Sequence, residues 1–126
     1  MTTPGGFAIL LTMSDDFSSL PTGLWVSAHI RRCSNAGIPV YVAHKGGAER
    51  GTVTLRISVS GKGNRILTQA RDMDGVLGWM DPFDGRLVDE AEASGYIRQA
   101  VDSDPDLWVL EIEDKEGKNP FEGKIL

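Results

Sequence analysis

The chain has a single cysteine, Cys33, among its 126 residues. It can therefore form no disulfide within itself and no zinc cluster built on thiolates. Its two histidines, His29 and His44, are too few for a histidine-based metal site, so no metal and no cofactor is expected. Long apolar runs are also missing. Nothing approaches the roughly 20 apolar residues of a spanning helix, and no membrane partner is expected. The apolar stretch 7–11 is short and has no basic residues before it, which does not read as a signal peptide. Positive charge is in deficit: 13 Lys and Arg stand against 18 Asp and Glu, giving a net charge of −5 and a pI near 4.9. Such a surface repels phosphate backbones and anionic membranes, which argues against nucleic acid as a partner. Gly46-Gly47 and Gly61-Lys62-Gly63 lack the Gly-Lys-Ser/Thr of a phosphate-binding loop and the spacing of a dinucleotide fingerprint. These absences together suit a cytoplasmic protein.

What is present is an ordinary globular balance, 40% apolar and 25% charged. The length is that of one domain with a real core. Residues 1–19 are expected to be a loose N-terminal tail, with Met13 a candidate start, and residues 20–126 a single α+β domain. The clearest local signal is residues 52–60, where Thr-Val-Thr-Leu-Arg-Ile-Ser-Val-Ser alternates polar and apolar. That is a strand with one buried and one solvated face.

Around it, the pattern predicts a first helix from Leu20-Pro21-Thr22 to Gly37, with Thr22 as N-cap and a stripe of Trp25, Val26, Ile30, Cys33 and Ala36. Strands follow over 40–44, 52–60, 65–71 and 76–80. The segment 45–51 reads as a flexible loop and 61–64 as a hairpin turn. A second helix opens at Asp89, with Glu92 in capping-box position, and stops before Asp104-Pro105. A last strand covers 107–113, and 119–126 reads as a tail. The expected fold is α+β: two helices packed on one face of a mainly antiparallel four- to five-stranded sheet, in the order α-β-β-β-(β)-α-β.

Several segments carry a resemblance. Leu20-Pro-Thr-Gly-Leu-Trp-Val-Ser-Ala, Ala36-Gly-Ile-Pro-Val, Asp104-Pro-Asp-Leu-Trp-Val-Leu-Glu-Ile-Glu-Asp and Asn119-Pro-Phe-Glu-Gly-Lys resemble a family of short bacterial proteins, mostly alphaproteobacterial, known as domain of unknown function 1491. The resemblance covers roughly residues 20–126. It implies a domain of that family and no activity, so it transfers no functional residue.

The residues themselves suggest one surface. A hairpin with an even-numbered loop places Leu55 opposite Ala70, Ile57 opposite Thr68, Arg56 opposite Gln69 and Thr54 opposite Arg71. Thr54, Arg56, Ser58, Gln69 and Arg71 would then form a polar, doubly cationic open face able to grip a carboxylate, a phosphate or an acidic protein. Glu111 and Glu113 of the last strand are the competing partners for those arginines. Arg31 and Arg32, the adjacent basic pair, are a further candidate contact on the first helix. His29 is the candidate centre of an alternative catalytic pocket, with Cys33 one turn away. The acids between 102 and 116 lack the ligand pattern of a calcium loop and read as a solvated edge.

Element order narrows the function further. The order α-β-β-β-α is that of double-stranded-RNA-binding domains, but the second helix here opens Asp89-Glu90-Ala91-Glu92, the wrong sign for phosphates. With the last strand added, the order matches metal-dependent nucleases. The strands 52–60 and 65–71 carry no acid and no lysine in their interiors to hold Mg²⁺, and the acid-x-Lys of Glu113-Asp114-Lys115 sits at the end of the last strand. The reading that remains is a small non-catalytic interaction or accessory protein that binds a protein or an acidic ligand on the open sheet face. Its alternatives are a small enzyme around His29 and closure of the open face as a homodimer.

Overall fold

The computed structural model describes residues 20–126. The expectation of a loose tail over 1–19 lies outside the described residues. Helix α1 covers Thr22–Asn35 and is followed by strands β1 (Val40–His44), β2 (Val53–Val59), β3 (Gly63–Arg71) and β4 (Leu77–Met80). Helix α2 (Glu90–Ser103), β5 (Trp108–Glu113) and β6 (Lys124–Ile125) complete the order.

The helix boundaries follow from local chemistry. α1 ends in a Schellman motif: Gly37 has φ +78, its N–H donates to Ser34 O, and Ile38 N–H donates to Cys33 O. Its start differs from the expected side-chain cap. Pro21 occupies the N-cap position, and the carbonyls of Ala48 and Glu49 accept from Gly23 N and Thr22 N. Thr22 Oγ1 donates to Gly51 O at 2.9 Å. The segment 45–51, read as flexible, is thus pinned to the helix, and Trp108 Nε1 holds it from the other side by donating to Gly47 O at 2.8 Å. α2 begins as its sequence indicates, with Asp89 accepting from Glu92 N at 2.8 Å.

Among the described residues, the sheet has six strands in the order β1-β5-β2-β3-β4-β6. Three pairings are antiparallel, whereas β2–β5 and β4–β6 are parallel. β5 lies centrally, between β1 and β2, which explains why Trp108, Val109 and Leu110 are all buried. The C-terminal stretch is not a tail: β6 pairs with β4, and Phe121 is buried in the core at 4% exposure.

Two expectations about the sheet are corrected. The first is register. β2 and β3 are joined by a three-residue loop, Val59 lies opposite Gly63, and Arg56 lies opposite Ile66 rather than Gln69. The shift from the expected pairing is odd, so every β3 side chain is on the other face. The second is layering. α1 packs Trp25, Val26 and Cys33 against Val53, Leu55, Ile57, Leu67 and Leu110 on one face. α2 packs Ala93, with Tyr96 and Ile97, against Ile66 and Val88 on the other. The helices therefore do not share a face. Adjacent Ile66 and Leu67 are each fully buried because each meets its own helix layer. Each such side chain contributes about 1.5–3 kcal/mol.

Candidate functional site: an acidic groove at the uncovered end of the sheet

α2 covers only part of its face of the sheet. On that face, β2 contributes Thr54, Arg56 and Ser58, and β5 contributes Val109, Glu111 and Glu113, with Arg56 and Glu111 directly in register. β1 places Tyr41 opposite Glu111. The ground between the start of α2 and β1 is a cavity of about 660 Å³ whose lining includes Tyr41, Arg56, Ser58, Glu90, Glu111 and Glu113. Tyr41 is 67% exposed.

Arg56 is the most constrained of these groups. Its side chain is 12% exposed and ion-pairs with Glu90. Nε donates to Asn64 Oδ1 at 3.2 Å and Nη1 donates to Ser94 Oγ at 3.3 Å. The guanidinium therefore ties α2 to the sheet. One guanidinium against the carboxylates of Glu90, Glu111 and Glu113 leaves the groove with an excess of two negative charges.

The other residues singled out in the sequence do not converge on this groove. Thr54 is buried, and its Oγ1 pairs with Thr68 Oγ1 at 2.9 Å. Gln69 and Arg71 lie on the α1 side of the sheet, in register with Trp79 and Leu77. Gln69 Oε1 accepts from Val53 N at 2.9 Å, and exposed Arg71 donates to Gly75 O at 2.8 Å. The doubly cationic face expected from the hairpin is thus split across the sheet by the three-residue loop. Arg31 and Arg32 are exposed on α1, away from the groove.

His29 is 1% exposed and walled by aromatic rings. Its ring stacks on Trp25 at 3.9 Å and on Phe121 at 5.2 Å. Nδ1 bonds Trp25 O at 2.9 Å, and Nε2 lies 4.0 Å from the Glu122 carboxylate. Burial, with a smaller push from Arg32, lowers its pKa to about 4 against the backbone bond. Burial likewise raises the pKa of Cys33 above its ordinary value, which keeps the thiol protonated. The two groups share one helix and are both buried, and the cavity lined by Trp25, Gln69, Arg71 and Leu77 does not reach His29. Among the described residues, no group of three or more His, Cys, Asp or Glu is placed to hold a metal ion, and no helix is long and apolar enough to cross a membrane.

Sequence reasoning missed Tyr41 and Glu90 as groove residues. For Glu111, a usable signal existed. The run Trp108-Val109-Leu110, apolar at every position, marks a strand covered on both faces, so a carboxylate one residue later stands at the border of covered ground.

A family model described as "Protein of unknown function (DUF1491)" matches residues 20–122. The crystal structure of a DUF1491 family protein from Caulobacter crescentus CB15 is similar, with a TM-score of 0.74 and 34% identity over 85% of this chain and 99% of that one. The NMR structure of a DUF1491 family protein from the same organism gives 0.71 and 35% over 85% and 96%. The solution structure of protein Atu0922 from A. tumefaciens gives 0.59 and 25% over 75% and 86%. No protein of curated function matches.

Proposed function

The chain belongs to the DUF1491 family, and from that premise we propose that it is a small non-catalytic interaction protein whose binding surface is the uncovered groove between α2 and β1. One observation carries this reading: the groove gathers the carboxylates of Glu90, Glu111 and Glu113 around a guanidinium already held by Glu90, Asn64 and Ser94. A general base or nucleophile needs an accessible, poised group. His29 and Cys33 are buried with pKa values shifted toward their neutral forms, which speaks against the enzyme alternative. The sign of the groove also alters the partner chemistry expected from the sequence. A cationic segment of a protein fits it better than an acidic ligand, and a phosphate backbone fits it worst. A single buried, protonated cysteine suits a reducing compartment, so the proposal places the protein in the cytoplasm.

The test is a crosslinked pull-down of the tagged full chain from its host, with Glu111→Gln/Glu113→Gln alongside. Crosslinks to β1, β5 and the start of α2, lost in the double variant, are the expected result. Partners retained undiminished by the variant, or crosslinks confined to the α1 face, would overturn the assignment.

A further inference from the structure

The sheet has two edges, and they differ. β6 is two residues long, and its Lys124 is held by Asp72 at 2.8 Å. Short strands and edge lysines are the usual protection against stray pairing. β1 has neither. It is five residues long, Val-Tyr-Val-Ala-His, without a charged side chain. Tyr41 and Val42 are exposed, and among the described residues no strand lies on its outer side. Its register breaks between Val42 and His44, a bulge that leaves the first three residues regular. Among the described residues, an open backbone ladder therefore borders the acidic groove.

We propose that β1 is completed in use by an extended, basic segment of a partner protein, which adds to the sheet as a seventh strand. The inference rests on the groove reading above and gives it a mode of binding. An added strand lies about 4.8 Å from β1 and so roughly 10 Å from β5. Its alternate side chains project on the face that carries Tyr41, Glu111 and Glu113. Lysine or arginine at those positions crosses the β1 strand, packs its aliphatic stem on Tyr41 and delivers its cation toward the carboxylates. Backbone pairing supplies adhesion, and the charge pattern selects the sequence. A second copy of this chain suits the edge less well. A two-fold β1–β1 pairing puts both acidic grooves on one side of a continuous sheet, in a molecule whose net charge is −5.

The experiment uses the ¹⁵N-labelled full chain with two capped decapeptides, five repeats of Lys-Val and five repeats of Glu-Val. Amide hydrogen exchange is read across residues 40–44, and chemical shifts at Glu111 and Glu113. The Lys-Val peptide is expected to slow exchange in β1 by about tenfold or more and to shift both glutamates, with affinity falling as salt rises. The Glu-Val peptide is expected to do neither. Tyr41→Lys, which places a cation on this edge, is expected to weaken the Lys-Val peptide about tenfold. Shifts at Glu111 and Glu113 without slower exchange in β1 overturn strand addition and leave the groove reading standing. Equal protection by both peptides overturns the basic occupant. No response to either peptide overturns strand addition and the groove together. Exchange already slow in the free protein, with a doubled mass by light scattering, assigns the edge to a second copy and overturns the proposal.

Discussion

Replacing Phe121 with alanine separates a C-terminal segment that is part of the core from one that merely trails the fold. The Phe121 ring is 4% exposed. It sits 5.7 Å from Trp25, 5.2 Å from His29 and 6.5 Å, edge-on, from Trp79. Around it the chain is fixed: Asn119 Oδ1 accepts from Phe121 N at 2.8 Å, and Trp79 Nε1 donates to Glu122 O at 2.9 Å. The loss combines burial of about 2–3 kcal/mol with aromatic contacts and a cavity that this rigid cluster fills poorly, giving about 3–5 kcal/mol in total. In a domain of this size that corresponds to a melting temperature lower by about 10–20 °C. Urea unfolding of Phe121→Ala against Leu126→Ala measures it. Leu126 is 44% exposed and its truncation should cost about 1 kcal/mol or less. A Phe121→Ala cost as small as that of Leu126→Ala would refute the packing argument.

Other outcomes follow from single groups. Because His29 has a folded pKa of about 4 against an ordinary 6.5, the unfolded chain takes up the proton first as pH falls. Stability from this group is complete above the ordinary value and drains toward the folded one. Urea unfolding at about pH 7.5 and about pH 5 should differ by up to about 2 kcal/mol, and His29→Gln should remove the difference. Gly63 has φ +125, and a Cβ there would stand 2.9 Å from Val88 O, the carbonyl that accepts from Asn64 N. Gly63→Ala is expected to lower stability by about 1–3 kcal/mol in thermal or urea unfolding. Arg56→Met should cost about 1–3 kcal/mol, since it leaves Asn64 Oδ1 and Ser94 Oγ without their Arg56 donor and Glu90 without its cation, whereas exposed Arg71→Met should stay within about 0.5 kcal/mol. Equal effects of the two substitutions in the same assay would overturn the split of the arginines between faces.

The two helices and strands β1 to β5 were legible because their signals are local. The alternation of 52–60, Gly37 at the end of α1 and Asp89 at the start of α2 each state their own conformation. The arrangement was not legible, because it depends on one loop and one pair of residues. Ile66 and Leu67 are adjacent and both apolar, so alternation in β3 names no buried face. The choice passes to the loop, and three residues rather than an even number reverse it. That reversal separated Arg56 from Gln69 and Arg71 and moved the candidate surface from a cationic face to an acidic groove. Phe121 was hidden for another reason: an isolated aromatic between Pro120 and Glu122 has no periodicity to read.

The position of β5 between β1 and β2 governs the order of assembly. β1 and β2 run close in sequence, yet they are held apart by one strand's width, and the strand that fills the slot comes from far along the chain. Loop closure of that kind is slow, since the ordering cost precedes the contacts that reward it. A nascent chain that has not yet delivered Trp108–Glu113 therefore carries raw ladder edges on β1 and β2 at once. Emergence of this strand pairs the inner edge of β1 and the free edge of β2 in one step, and from that moment β1 offers a neighbouring chain its outer edge alone.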